Sequence, residues 1–286
     1  MTQALDLASD VGERLLERNR IFERFFEREA GRLAVACREM SGHFLKGGRL
    51  LAFGRGPYTT DAQHVSVEFV HPIIVGKRAL PALDLSLIFR PWLAAILRPG
   101  DIVMGFGPPE GDPEVEEALA MAEAGGAMTL ALAGGSGSYS LEPPTRDPFV
   151  HQELIEILYH TPWETVHVFF EHRELGDDIG ASGFLYPFLG DEKQRSSGLV
   201  DEVAASIRAK AAEDAKLQAQ VAREQSDAIA AAARAIHRRL TQGGKLILFG
   251  NGGSATDAND WAIDCVLPRP GRLLVHGAGE PHCDCQ

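Results

Sequence analysis

The chain has 286 residues, room for more than one ordinary domain, and its 45% hydrophobic and 24% charged residues exclude a disordered or fibrous protein. A formal net charge of −12 argues against a nucleic-acid partner, which needs clustered Lys and Arg, and points to a small molecule or a protein. No apolar run approaches the ~18 residues that suggest a membrane span, and the acidic N-terminus has no apolar signal segment, so a cytoplasmic location is expected.

In chain order, residues 11–46 come first. Leu15, Leu16, Phe22, Phe25, Phe26, Leu33, Val35 and Ala36 recur there at roughly helical spacing with charges between them, which predicts an amphipathic helix ended by Gly47-Gly48. Its apolar stripe exceeds what one domain covers, so a homo-oligomer, dimer or tetramer, is expected. A strand at 49–54, a glycine loop and a helix at 59–70 follow. A second strand is expected at 79–86, then a short helical segment to Arg98-Pro99-Gly100, and a strand at 101–107. Helix 113–125, strand 127–133, a weak strand near 138–142 and helix 149–172 complete the series. Short apolar β-runs alternating with amphipathic helices predict an α/β fold with a doubly wound parallel sheet. The Gly- and Ser-rich residues 174–198 read as a linker, and a helical stretch covers about 200–242.

A repeat organises this pattern. Residues 47–70 and 243–266 align without gaps at an offset of 196, with ten of 24 positions identical. Both read as Gly-Gly turn, apolar strand, glycine loop and helix. The expected organisation is therefore a complete unit at 1–173 and a partial second copy at 199–286, a fragment or a unit completed by another chain. Cys37 and Cys265 lie in apolar periodic segments and read as core residues; His282-Cys283-Asp284-Cys285 looks metal-like but lacks a second ligand pair.

Three places carry chemistry. Gly250-Asn251-Gly252-Gly253-Ser254, between a strand and a helix, offers backbone N–H groups and the Asn251 and Ser254 side chains to an anion, or is a plain tight turn. In the first copy this loop is Gly54-Arg55-Gly56-Pro57-Tyr58; Pro57 removes one donor, and Arg55 either restores anion affinity or the role is lost. His64 and Glu68 share one helix face at i, i+4, which suits a divalent metal, an acid–base pair or a solvated surface. Helix 149–172 carries Gln152, Glu153, Glu156 and His160. Gln152 and His160 lie ~12 Å apart along the axis, so reaching one ion requires both to stretch inward, a second chain, or a distortion at Pro162.

Together these residues resemble the SIS (sugar isomerase) superfamily, and within it the phosphoheptose isomerases. The family's G-N-G-G-S-x-x-D-A-x-H-F-A-x-E segment is similar to 250–264 at its start and to 54–68 at its end. Arg78-Ala-Leu-Pro-Ala-Leu, Arg98-Pro-Gly-Asp and the Gln152-Glu153 to His160 run follow in the family's order. The resemblance implies a flavodoxin-like three-layer sandwich and aldose–ketose isomerisation of a phosphorylated sugar through an enediol. It also implies Zn2+ held by His64, Glu68, Gln152 and His160, with Glu68 as base and His160 as its partner. The sugar phosphate would fall to Arg55, Gly56, Gln152, Asn251, Gly252, Gly253 and Ser254. The chain departs from the family where Gly107-Pro108-Pro109-Glu110-Gly111-Asp112 replaces a serine-rich phosphate loop, and where Asp260 and Asp264 replace the second copy's His and Glu. An alternative reading is a noncatalytic sugar-phosphate binder or scaffold descended from an isomerase.

Overall fold

The computed structural model describes residues 6–71, 77–132, 135, 137–174 and 198–266. Helix α1 runs from Leu7 to Leu45, and the Asp6 carboxylate caps it by accepting the Ala8 N–H. Phe22, Phe25, Leu33 and Met40 along it are fully buried. The helix ends at Gly47, whose φ of 86° is left-handed, and the Gly48 N–H returns to the His43 carbonyl.

There follow β1 (Leu50–Gly54), α2 (Thr59–Val70), β2 (Ala82–Asp84), α3 (Phe89–Ile96), β3 (Ile102–Phe106), α4 (Pro113–Ala124), β4 (Met128–Leu132), β5 (Tyr139–Ser140) and α5 (Pro148–Glu174). The strands are parallel in the order β2-β1-β3-β4-β5, with Leu50 opposite Ile102 and Ile102 opposite Met128. Side chains alternate across the sheet. Leu50, Ala52, Ile102, Met104 and Leu130 meet α1, α2 and α5 on one face, while Leu51, Phe53, Val103 and Ala131 meet α3 and α4 on the other. This is the expected doubly wound, three-layer α/β architecture. The strand order reverses between β1 and β3, and ligands of such sheets bind beside that switch.

The Arg98-Pro99-Gly100-Asp101 turn is a structural fastening. Buried Asp101 accepts the Arg98 N–H at 2.9 Å and the Arg49 guanidinium at 2.6 Å, tying the entry of β1 to that of β3.

Beyond residue 197 come α6 (Leu199–Glu224), α7 (Ser226–Thr241) and α8 (Gly253–Val266). The expected helix over 200–242 is broken at Gln225. α6 packs along α1, so the stripe assigned to a second subunit is covered within the chain. The expected second strand does not form among the described residues: 245–250 join no strand ladder there, and Ile247 and Phe249 are 77% and 89% exposed, where the equivalent Leu51 and Phe53 are at 0%. A β-run needs neighbours for its backbone groups, and the described residues supply the second copy with no counterpart of β2 or β3. Cys265, expected in a core, is exposed; Cys37 is buried. The His282–Cys285 cluster and nearly all of the 174–198 segment lie outside the described residues.

The two copies nonetheless share their loop geometry. Gly56 and Gly252 both have φ of 58°, and a Cβ on Gly54 or Gly250 would collide with the carbonyl of Tyr58 or Ser254. They also meet each other. Asn19 donates to the carbonyl of Ala215 at 2.9 Å, a separation of 196 residues, the repeat offset itself. Equivalent residues in mutual contact mark an approximate two-fold axis, the arrangement of an isologous dimer here made within one chain.

Candidate active site

The axis leads to the site. α8 lies against α2, and Thr60 with Thr256, Asp61 with Asp257 and His64 with Asp260, three repeat-equivalent pairs, line one small cavity beneath α5. Helical spacing aims His64 and Glu68 from α2, and Gln152, Glu156, Tyr159 and His160 from α5, into the same region.

His64, Glu68 and Gln152 are all buried. The His160 Nδ1–H donates to Glu68 Oε1 at 2.7 Å, while Glu68 Oε2 is buried with no hydrogen-bond partner among the described residues. The rings of His64 and His160 are 4.9 Å apart. His64 Nδ1 lies 3.2 Å from Asp257 Oδ1 and 3.7 Å from Glu156 Oε1. Ligand atoms of His64, Glu156 and His160 all fall within 4.8 Å of one another, a grouping that can hold a metal ion.

The local field separates the two histidines. Burial, then the charge of His160, lowers His64 to about 4 against the pull of Asp257, so its imidazole is neutral. Burial also acts to lower His160, but the hydrogen bond and charge of Glu68, with Glu156 and Asp257, bring it above its ordinary value. Burial raises Glu156 to about 7; His160 opposes this, and Asp257, Asp260 and Glu153 add to it. Buried Tyr159, facing Asp61 and Glu156, is raised well above a free phenol. A neutral imidazole, a hydrogen-bonded histidine–carboxylate pair and a raised carboxyl thus stand side by side, as in sites that move protons.

The other residues expected to act are placed less simply. Gln152 does not join the histidines: its amide donates to Asp260 at 2.8 Å and to Asp61 at 3.0 Å, and Thr60 also donates to Asp260 at 3.0 Å. The ~12 Å span foreseen along this helix is thus resolved by giving its two ends different partners. α5 continues through Pro162. Arg55 is not open to an anion, because its guanidinium pairs with Asp112 at 3.0 Å and Glu114 at 3.1 Å. Those acids sit where the serine-rich loop was missing. Gly56 turns that loop. In the second copy, Gly253 abuts His64, a Cβ there lying 3.2 Å from Nε2, and Gly252 turns the loop while Asn251 and Ser254 are exposed. Asp257 and Asp260 went unassigned in the sequence. The signal was there: at a two-fold axis equivalent residues converge, so the partner of His64 is to be sought among residues 196 further on.

A second cavity, of about 180 Å³, opens on His160 between α1, α5 and α6. Phe22, Phe26 and Ile207 form its apolar side, and Thr161, Thr165, Ser206 and Asp214 its polar side.

A doubly wound sheet with a buried histidine–carboxylate cluster beside its switch point defines a class of small-molecule binding proteins and enzymes. A model of the SIS domain family matches residues 211–281, which include the second repeat. The phosphoheptose isomerase of Solidesulfovibrio magneticus is 30% identical over 177 residues, 54% of this chain and 87% of that protein. That of Desulfovibrio desulfuricans is 32% identical over 134 residues, 41% of this chain and 64% of that protein. The solved phosphoheptose isomerase of Neisseria gonorrhoeae superposes with a TM-score of 0.47 at 21% identity, covering 55% of this chain and 96% of that one. The chain belongs to the phosphoheptose isomerase family of SIS proteins.

Proposed function

We propose that this protein interconverts the aldose and ketose forms of a phosphorylated sugar. One observation carries the reading: Glu68 is buried, His160 fixes one carboxylate oxygen, and the other has no hydrogen-bond partner among the described residues. A carboxylate so held is a base of fixed direction. It takes the proton from the carbon next to the substrate carbonyl, leaving an enediol, and returns it to the former carbonyl carbon, while the hydroxyl proton passes the same way, from the hydroxyl oxygen to the former carbonyl oxygen. His160 keeps Glu68 oriented and charged through its Nδ1–H hydrogen bond. The cavity beside His160 suits the polyhydroxyl chain, with hydroxyl groups on one wall.

Zn2+ fits this site, since two imidazoles and a carboxylate converge and Glu68 Oε2 is an orphaned buried acceptor. When bound, such an ion polarises the carbonyl and hydroxyl oxygens of the substrate. Family membership supports the substrate class, and no helix among the described residues is long and apolar enough to cross a membrane. The test is solvent deuterium exchange, followed by NMR, into sedoheptulose 7-phosphate and a panel of other aldose and ketose phosphates. Exchange at the carbon beside the carbonyl that disappears in Glu68→Gln supports the reading; no exchange into any sugar phosphate sinks it.

A second reading has its own support. Arg55 is neutralised by Asp112 and Glu114, so the first copy's loop is a poor phosphate cradle, as a noncatalytic binder or scaffold would show. Sugar phosphates that raise the melting temperature without exchanging deuterium would favour it.

A further inference from the structure

We infer that a second binding site, for a small phosphorylated molecule, lies in an open cleft between α1 and the loop joining β5 to α5, where the guanidinium groups of Arg28, Arg32 and Arg146 receive the phosphate. The inference does not depend on the isomerase reading.

The cleft is built from α1 upward. Arg28 and Arg32 stand at i, i+4 and share one face of the helix, with Glu29 beside the first. Glu29 is 4% exposed, and a carboxylate persists in such a place only when its oxygens are paired. Arg28 Nε donates to Glu29 Oε1 at 2.6 Å and Arg32 Nη1 to Oε2 at 3.0 Å. One buried carboxylate thus holds two like charges side by side. Arg28 is fixed further: its Nη2 donates to the Glu142 carbonyl at 3.0 Å, and its guanidinium lies over the Phe25 ring at 5.9 Å. Arg146 closes the cleft from the loop, with Nη1 donating to the Pro109 carbonyl at 2.8 Å.

These contacts leave most of each fork unused. A guanidinium carries five N–H donors. Among the described residues Arg28 commits two of them, and Arg32 and Arg146 one each. Planar forks match phosphate oxygens, and forks already held in place bind an anion without the entropy of gathering long side chains. The cleft encloses about 620 Å³, the size of a small-molecule site, with Ser140 and Thr145 to bond further oxygens and Pro143 and Pro144 as an apolar wall. Three guanidiniums there face two carboxylates, Glu29 and Glu142, so the cleft is locally positive on a chain of net charge −12.

Its position separates it from the reaction site. α5 starts at Pro148, just past Arg146, and His160 lies three turns along it, ~18 Å from that start. A seven-carbon sugar phosphate spans only about 10 Å, so the ligand of the cleft is a second molecule and not the far end of the substrate. The repeat adds that there is one such site per chain. At the offset of 196, the counterparts of Arg28, Glu29 and Arg32 are Glu224, Gln225 and Ala228, which form no cationic cluster.

The experiment titrates the full chain with pyrophosphate by calorimetry, at an ionic strength held constant with sodium chloride, and follows the melting temperature. One pyrophosphate per chain and a rise in melting temperature are expected. Arg32→Gln and Arg146→Gln should each weaken binding at least about tenfold. Both side chains are exposed, so the ligand-free melting temperature of each variant should stay within about 2 °C of wild type. Glu68→Gln should bind pyrophosphate as wild type does. If Arg146→Gln disturbs the fold, Arg32→Gln decides alone, since among the described residues that side chain bonds only Glu29. Undiminished binding in the arginine variants, no saturable binding by wild type, or loss of binding in Glu68→Gln each overturns the inference.

Discussion

Removing the Glu156 carboxylate should change how stability depends on pH, and the site fixes the sign. In the metal-free protein burial raises this carboxyl from 4.5 to about 7. Below pH 4.5 it is protonated in both folded and unfolded chains, and the wild type has its full stability. As pH rises toward 7 the unfolded chain releases the proton while the folded chain holds it, so stability falls and levels off above 7. The full shift corresponds to about 3.4 kcal/mol at ~1.36 kcal/mol per pKa unit. The side chain is 35% exposed, and solvent screening reduces the effect to about 1–2 kcal/mol. Glu156→Gln lacks this titration but keeps His64, whose lowered value acts in the opposite direction in both proteins. The assay is urea unfolding of chelator-treated wild type and variant between pH 4.5 and 8, followed by the fluorescence of buried Trp163. The stability of wild type minus variant should fall by about 1–2 kcal/mol between pH 4.5 and 7. A difference that is flat within about 0.3 kcal/mol, or that rises with pH, would refute the reasoning.

Glu68→Gln should cut deuterium exchange into the sugar by at least about 100-fold while the protein remains folded, measured by NMR and circular dichroism. Asp101→Ala removes the carboxylate that accepts the Arg49 guanidinium and the backbone N–H groups of Arg49 and Arg98, and should cost about 3–5 kcal/mol in a denaturant melt. Phe53→Ala should also cost about 3–5 kcal/mol, and the repeat-equivalent Phe249→Ala less than about 0.5 kcal/mol, a pair that checks directly whether residues 244–250 form a strand. Cys265 should be alkylated rapidly in the folded protein and Cys37 only on unfolding, because burial both covers its thiol and raises it; peptide mapping by mass spectrometry reads the difference.

Much of the first copy was legible because periodicity there agrees with what surrounds it. Strands at 49–54 and 101–107 are apolar runs that become buried on both sides, and Leu50 to Gly54 finds β2 and β3 as neighbours. Local pattern failed where the neighbours were the deciding factor. Lys245 to Phe249 has the same apolar character as Arg49 to Phe53 but no ladder to join, so propensity alone did not make it a strand. Strand 79–86 shortened to Ala82–Asp84 for a related reason, since pairing with β1 extends over three residues only. In the site, His64 and Glu68 were singled out by their i, i+4 spacing and His160 by the run from Gln152, and their roles were implied by the family resemblance. Asp257 and Asp260 were not, because their role depends on how two distant segments pack. Arg55 was readable as an anion ligand only while Asp112 and Glu114 were not known to face it.

The internal two-fold has a genetic consequence. In an assembly of identical subunits, any substitution at the axis appears on both sides at once, so an arginine there confronts another arginine. Here the two sides are written separately in one reading frame. Burial raises the Asp214 carboxyl, and Arg18, whose counterpart it is 196 residues on, can lie where its charge opposes that rise, while His64 carries an imidazole opposite the carboxylate of Asp260. Carried in one chain, the two faces can differ residue by residue, as a lock differs from its key.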